Sequence, residues 1–439
     1  MRAIAFYFFI LAIIPSIFFH PYTGVLLYSW MSFMSPQQLL WIPPTIPVAL
    51  IAAVLTVVSW VFSEEPKRLR FDSTVWLIVA FMAWISFTTL LALNPARATY
   101  LWSRTIKELL FVLITIALTT NRIRLHALLW VMVIAIGYFG WKGGLFTILH
   151  AGSARIYGPP DTAIYNNNDL GVGLLVALPL MNYVRTNSAH RWVRIGLLAV
   201  MMGSFLSIVG TFSRGALLGL AAVSLLLFLK SRRKLVSGVV IAATFVSAIA
   251  FMPDSYVERM QTMRTYEKDE SAMSRIQVWG VALNIGLDRP LTGGGFAVTE
   301  SQVVIDRYLP GFRGVAVHDI YLGVLAAHGF IGLLLWLALL LVGWRNARWI
   351  QRSSRGRPEW QWAGDFGRMS QVSLVGYCVA GAFGNYEYWD YYFTIVGLLA
   401  AARTMMERTI LPQRSAPVPA ATFRPAPLVP VHHPLRDPQ

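Results

Sequence analysis

The chain has 439 residues, of which 56% are hydrophobic and only 13% are charged. Soluble globular proteins carry about 25% charged residues, so this composition excludes a soluble enzyme and a disordered chain. The net charge of +16 fits a nucleic-acid-binding protein, but the cytoplasmic loops of membrane proteins also collect lysine and arginine. No basic patch with interleaved aromatic residues stands outside the apolar segments. The composition predicts an all-α polytopic membrane protein that contacts membrane lipids and no nucleic acid.

Apolar segments that are long enough to cross a membrane follow one another along the chain. About twelve crossings are predicted, near residues 3–20, 41–63, 74–93, 104–120, 125–149, 170–184, 194–211, 215–230, 235–252, 319–344, 369–386 and 390–406. The stretch 21–35 starts with Pro21 and is short, which fits a half-helix. The first apolar run lacks a small-residue cleavage site, so we expect a retained helix.

Loop charges predict the orientation of these helices, because basic loops remain in the cytoplasm. Basic residues gather in the loops near 67–70, 122–124, 185–194, 230–234 and 345–368, which alternate with neutral or acidic loops. Both termini are therefore predicted to be cytoplasmic. The segment 94–107 disagrees, since it carries three basic residues on the predicted outer side. We expect part of it to belong to the next helix.

The chain divides into four predicted segments. Residues 1–252 form helices 1–9 with a short periplasmic loop at 150–169, residues 253–318 form a periplasmic helical insert, residues 319–406 form helices 10–12, and residues 407–439 form a disordered, Pro-rich cytoplasmic tail. Within the insert, the segments 255–266 and 271–287 have a helical pattern, and a turn with three consecutive glycines follows at 293–295.

Three basic residues at the predicted outer membrane edge are candidates for catalysis, because charges at a membrane are costly and often functional. Arg214 lies in a short break between two apolar runs, Arg275 lies in the insert, and His318 lies where the insert re-enters the membrane. Each also has a structural interpretation on its own: Arg214 could snorkel to the interface, Arg275 could be solvated, and His318 could simply start a helix. All three residues are predicted to lie on the same side of the membrane, which favours a functional interpretation over three separate structural ones.

The chemistry of these residue types suits a lipid diphosphate. Arginine pairs bidentately with phosphate oxygens and stays charged when partly desolvated. A histidine near a helix N-terminus and beside arginines should be neutral near pH 7, and it can then accept a proton from a sugar hydroxyl. The set predicts a glycosyltransferase that uses a lipid diphosphate as leaving group, with His318 as general base.

Other polar residues give weaker signals. Arg155 precedes a Gly-Pro-Pro turn, and the asparagines 166–168 either bind a sugar or cap the helix that follows. His328 is expected to be a packed polar residue rather than a second base. The single cysteine, Cys378, cannot build a disulfide or a Cys-based metal site. We predict no cofactor and no metal.

The ordered motifs resemble those of the O-antigen ligase and polymerase superfamily. The run 316–333 around His318 resembles its histidine motif, residues 213–216 and 274–279 resemble its two arginine motifs, and residues 289–295 resemble its Pro-x-x-Gly-x-Gly turn. The opening stretch and the run 155–168 also resemble O-glycosylation ligases associated with exosortase systems. The likeness spans residues 1–406.

The resemblance implies a metal-independent, inverting transferase in the bacterial inner membrane. It would move a glycan from undecaprenyl diphosphate to an acceptor, usually the lipid A core. By analogy His318 is the general base, Arg214 and Arg275 bind the diphosphate, and we expect substrate contacts from Arg155, Asn168, Asp319 and Tyr321. The chain departs from the family pattern at Asp319, where the family often has Asn or Ser, and at Ala327, where it often has Glu.

Three alternatives remain open. The same residues could serve a polymerase that joins two lipid-linked repeats, or a protein O-glycosylation ligase. A transporter of lipid-linked glycans would instead predict internal repeats, broken helices in matching halves and ionisable residues near mid-span. The sequence shows little of this, and the candidate charges cluster at one face.

Overall fold

The computed structural model of the chain describes residues 2–40, 46–67, 69–230, 234–235, 238, 242 and 270–415. Within these ranges the fold is helical and has no strand. The longer helices are α1 (Arg2–Phe19), α2 (Pro21–Met34), α3 (Val48–Phe62), α4 (Ser73–Leu90), α5 (Pro95–Leu118), α6 (Arg122–Leu149), α7 (Asn167–Thr186), α8 (Arg191–Gly210), α9 (Arg214–Lys230), α10 (Glu270–Asp288), α11 (Gln302–Tyr308), α12 (Ile320–Ser353), α13 (Gln361–Gly381) and α14 (Asp390–Ser415).

Four described helices, α4, α6, α8 and α12, are long and apolar enough to cross a membrane. Shorter apolar helices cover Ala3–Phe19, Val48–Phe62 and Arg214–Leu229. The predicted number of about twelve crossings is not confirmed. Several predicted crossings are helices that carry charged residues, as α5 does with Arg104 and Glu108. The predicted crossing at 235–252 lies almost wholly outside the described residues.

Several predicted boundaries can be compared directly with the helices. The Asn94 side chain accepts a hydrogen bond from the Arg97 backbone, so α5 begins at Pro95 and the basic residues of 94–107 lie on it, as expected. The predicted helix over 271–287 lies within α10. The last helix, α14, continues beyond the predicted end at 406 as far as Ser415. The segments 255–266 and 416–439 lie outside the described residues.

Helices α4 and α12 run antiparallel and define the two ends of the bundle. Near the start of α4, Thr74 accepts a 3.0 Å hydrogen bond from Asn346, and near its end Thr88 lies 2.7 Å from Nδ1 of His328. Arg70 pairs with Glu407 at the Asn346 end. His318 precedes α12 and therefore lies at the opposite end from these ionic contacts.

Helices α6 and α8 pack with their backbones almost in contact. A Cβ on Gly144 would lie 2.3 Å from the carbonyl oxygen of Gly203. Small residues allow this approach, which is how helices gain packing energy where lipid supplies no hydrophobic drive. The pair fixes the start of the loop after α6 and the turn after α8.

Helix α12 is broken at Gly329, whose φ of 67° and ψ of −171° are not helical. The glycine turn fills the break: Gly294 and Gly295 donate hydrogen bonds to the carbonyls of Ala326 and Ala327 at 2.8 and 2.9 Å, and Phe330 donates to Pro290 at 2.7 Å. The turn thus satisfies carbonyls that the broken helix cannot, which a buried backbone requires. This packing ties the insert to α12.

We expect Gly329→Ala to lower the thermal unfolding temperature of the detergent-solubilised protein. The backbone strain costs about 1–3 kcal/mol, and the new Cβ would lie 2.3 Å from the carbonyl oxygen of Leu291. Gly356→Ala is the matched control, because Gly356 has φ +72° but nothing within 4 Å of a Cβ. An equal fall in the unfolding temperature of both variants would show that the close packing of Gly329 against the glycine turn does not contribute to stability.

Candidate functional site

A cavity of about 370 Å³ at the His318 end of the bundle brings together three of the predicted site residues. Asn168, Arg275 and His318 line it, with Asn166 and Ser274 beside them. They come from the first turn of α7, from α10 and from the segment before α12. Residues far apart in the chain thus share one polar chamber.

His318 is held in place by its backbone. Its φ of 53° is left-handed, a conformation that few non-glycine residues adopt. Its N–H donates a 2.7 Å hydrogen bond to Oδ1 of Asn385, and the indole N–H of Trp279 donates to the carbonyl of Val317 at 2.9 Å. Next to it, Asp319 caps α12 by accepting hydrogen bonds from the backbone of Tyr321 and Leu322, both at 2.8 Å. Contacts from α10 and from the α13–α14 loop therefore fix the backbone at His318 and so orient its imidazole ring.

The same asparagine determines the form of the imidazole ring. Since Oδ1 of Asn385 accepts from the His318 backbone, its Nδ2 faces the ring and lies 3.1 Å from Nδ1. An amide nitrogen is a donor only, so Nδ1 must accept and the proton of the neutral ring must sit on Nε2. Burial, helped by the charge of Arg275, lowers the pKa of His318 to about 4. The ring is therefore neutral at pH 7.

The asparagine run has divided roles. Asn166 caps α7 by accepting a hydrogen bond from the Asp169 backbone at 2.8 Å, and Asn167 donates to the carbonyl of Thr211 at 2.8 Å. Asn168 lines the cavity. Asn166 therefore caps α7 and also lines the cavity, while Asn168 lines the cavity and is not the cap.

Arg214 is the first residue of α9 and is half-buried. Its neighbour Gly215 packs so closely on Phe383 that a Cβ would lie 2.5 Å from that side chain. The Phe383 ring in turn lies 6.4 Å from the ring of Trp279, on the helix that carries Arg275. Arg214 therefore starts at the same end of the bundle, although it is not among the residues that line the His318 cavity.

Three predicted substrate contacts lie elsewhere. Arg155 lines a separate cavity of about 550 Å³, together with Lys142 and apolar residues of α6. Asp319 is the helix cap described above. The hydroxyl of Tyr321 donates a 2.9 Å hydrogen bond to the carbonyl of Cys378 on α13. The structure does not bring these three residues to the walls of the His318 cavity.

His328 is a packed residue, as expected. It is fully buried, lies against the rings of Phe81, Phe296 and Tyr388, and bonds to Thr88 through Nδ1. Within the described part of the chain, no group of three or more His, Cys, Asp or Glu side chains is arranged to hold a metal ion.

Sequence reasoning missed Asn385 and Glu387, which lie in the loop between α13 and α14. The signal was present, because 385–390 is a short run of polar and aromatic residues between two apolar segments at the predicted outer face. This loop counted only among the neutral or acidic loops in the prediction of orientation, and no site was predicted there. Membrane-edge charges are functional candidates by default, and that rule identifies this loop.

Apolar helices long enough to cross a membrane, with a half-buried cavity that Arg275 and His318 line, indicate a membrane protein with a candidate binding site. Comparison with known families agrees: residues 197–337 match the family described as O-antigen ligase, and residues 1–189 match a family of unknown function (DUF5935). The first match includes Arg214, Arg275 and His318, so this part of the chain is similar to the O-antigen ligase family. A comparison with curated proteins found no match.

Proposed function

We propose that the chain is a glycosyltransferase that moves a glycan from undecaprenyl diphosphate to a hydroxyl of an acceptor, the lipid A core. The reaction would take place at the periplasmic face of the bacterial inner membrane. The observation that carries this proposal is the cavity shared by Arg275 and His318. A guanidinium fork beside a neutral imidazole suits a diphosphate leaving group next to a site of proton handling.

The two arginines have one task in this proposal. Arg275 pairs with the diphosphate in the cavity, and Arg214 approaches it from the start of α9. Their charges stabilise the negative charge that develops as the bond between the sugar and the phosphate oxygen breaks. No metal is needed for that charge. Attack by the acceptor hydroxyl from the opposite face forms the new glycosidic bond and inverts the anomeric centre. The proton of that hydroxyl passes to water as the lipid diphosphate leaves, and Asn168 contacts a sugar. Substrate contacts from Arg155, Asp319 and Tyr321 stay predictions.

The role of His318 depends on its tautomer. A general base at Nε2 needs a free lone pair there, but the hydrogen bond from Asn385 favours the proton on Nε2. The neutral ring then donates, and a hydrogen bond from Nε2 to a phosphate oxygen or to the departing oxygen requires no proton shift. We propose the donor role for His318. The general-base role is the competing assignment, and the two predict opposite effects of one substitution.

The ends of the bundle support the periplasmic assignment. Arg70 and Arg403, with their partner Glu407, lie at the end away from His318. Basic residues mark the cytoplasmic end of a membrane bundle. This arrangement favours both termini in the cytoplasm and the His318 cavity at the outer face.

A transfer assay with the purified full-length protein tests the proposal and its rivals. Undecaprenyl-diphosphate-linked glycan is offered with lipid A core, with a second lipid-linked repeat or with an acceptor peptide, in the presence of a chelator. We expect transfer to lipid A core alone. Extension of the lipid-linked repeat would indicate a polymerase, transfer to the peptide a protein ligase, and movement of the lipid without transfer would indicate a transporter.

Arg275→Gln should raise the KM for the lipid donor roughly 10- to 100-fold, because a hydrogen bond to a charged group contributes about 1.5–3 kcal/mol. The KM for the acceptor should change little. Arg313→Gln is the matched control, since Arg313 lies in the same insert but is exposed. An equal rise in the donor KM for both variants would reduce Arg275 to a general contribution to surface charge.

A further inference from the structure

A second cavity adjoins the His318 chamber. It has a volume of about 230 Å³, on the order of eight water molecules at their liquid volume, which is the scale of one sugar ring rather than a lipid chain. Ala316 lines both cavities. Asn385 lines this one while its side chain bonds to His318. Whatever fills the second cavity therefore lies next to the reacting centre.

Four acidic side chains line this second cavity, and three of them have partners within the protein. Glu108 accepts a 2.9 Å hydrogen bond from Arg104. Glu300 pairs with Arg97 at 3.2 Å. Asp390 accepts a hydrogen bond from Ser32. The hydrogen-bonding capacity of these three carboxyl groups is therefore at least partly used.

Glu387 differs from the other three. Its Oε2 is buried and has no hydrogen-bond partner among the described residues, and the same is true of the hydroxyl of Tyr388, which also lines the cavity. Buried polar atoms are normally satisfied. Two buried oxygens without partners, on adjacent residues that line one small cavity, are therefore candidates to bind hydroxyl groups of a ligand.

The charge of the cavity restricts that ligand further. Arg104 is the cationic residue among those that line it, and its guanidinium already pairs with Glu108. Four acidic side chains against one paired arginine make the cavity unfavourable for a phosphate or a carboxylate. Burial raises the pKa of Glu387 to about 8, so near pH 7 its carboxyl group is mostly protonated and can donate as well as accept.

We propose that this cavity is the subsite for an uncharged, hydroxyl-rich sugar unit of the acceptor, held by Glu387 and Tyr388. The inference rests on the proposed glycosyltransferase function and deepens it. The charged leaving group occupies the Arg275 chamber, and the neutral attacking sugar occupies the adjoining one. Hydroxyl groups of the sugar satisfy the two orphan oxygens.

Three variants of the full-length protein test the role of Glu387. Glu387→Ala should raise the KM for the acceptor at least tenfold and leave the KM for the lipid donor within twofold. Glu387→Gln keeps a donor and an acceptor in the same volume and should restore the acceptor KM to within about threefold of the original. Glu359→Gln, at an exposed position, should change nothing. A rise in the donor KM, or a Gln variant as impaired as the Ala variant, would overturn the proposal.

Direct binding separates this inference from the proposed function. Saturation-transfer NMR on the protein in nanodiscs should detect methyl glucoside but not glucose 6-phosphate, and Glu387→Ala should abolish the glucoside signal. Glucoside binding that depends on Glu387, without any glycan transfer, would refute the proposed function and leave the subsite standing. Transfer with an unchanged acceptor KM in Glu387→Ala would refute the subsite alone, as would equal binding of the phosphorylated sugar.

Discussion

His318→Asn is expected to lower kcat for glycan transfer by at least 100-fold while the protein stays folded. Removing one preorganised hydrogen-bond donor that stabilises the charge developing in the transition state costs about 10²–10³-fold in kcat. Asparagine tolerates the left-handed φ of 53° at this position, so the substitution removes the imidazole without new backbone strain. The loss should appear in kcat and not in the KM of the lipid donor, which is set by the arginines.

The measurement is a transfer assay at saturating donor, paired with the thermal unfolding temperature. His150→Ala is the control, because His150 is exposed at the end of α6 and should keep its activity within twofold. If the His318→Asn protein transfers glycan at the original rate, His318 takes no part in the chemistry. If it unfolds at a much lower temperature, His318→Ala provides the second comparison.

The helical class of this fold follows from the many apolar runs of about 20 residues, which is the length of a membrane-spanning helix. The number of crossings does not follow. Helices such as α5 pack an apolar face inward while carrying Arg104, Glu108 and other charges, and a hydropathy pattern cannot separate burial in protein from burial in lipid. The break in α12 at Gly329 also could not be predicted from the sequence. A lone glycine in an apolar run predicts nothing until the turn at 290–295 is seen to fill the gap.

The candidate site, like the fold, could be predicted only in part from the sequence. Arg275 and His318 were recognisable as basic residues at a membrane edge, and the structure lines one cavity with both. Sequence could not identify the tautomer of His318, because its determinant, Asn385, follows 67 residues later. The sequence also could not assign separate roles to the three asparagines at 166–168. Which of them caps a helix and which faces a cavity depends on where α7 begins.

Asn385→Asp is expected to reduce transfer at pH 7.5 by roughly 5- to 100-fold, since an altered hydrogen bond at a buried polar group changes the free energy by about 1–3 kcal/mol. The aspartate still accepts from the His318 backbone, but it cannot donate to Nδ1. It accepts a hydrogen bond from a protonated Nδ1 instead, so Nε2 of the neutral ring carries no proton. A ring that must donate from Nε2 is then in the wrong form.

The transfer activity of Asn385→Asp should partly recover as the pH is lowered, and only the donor role of His318 predicts a recovery in this direction. In the original protein the pKa of His318 is lowered to about 4, with burial as the main cause, so the ring is neutral through the working range. A carboxylate beside Nδ1 favours the imidazolium and raises the pKa. As the pH falls through that raised pKa, the ring gains a proton at Nε2 and becomes a donor again. The activity of Asn385→Asp should therefore rise towards acid pH.

The general-base assignment predicts the reverse. For a base, Asn385→Asp would supply the carboxylate that orients the imidazole with Nε2 free, so transfer at pH 8 should equal or exceed that of the original protein and fall in acid. Asn385→Ala is the matched variant without the new charge, and it should lose activity with no acid rescue. The ¹⁵N shifts of His318, assigned by difference from His318→Asn, report the tautomer independently of turnover. A protonated Nδ1 in the original protein would refute the donor role before any rate is measured.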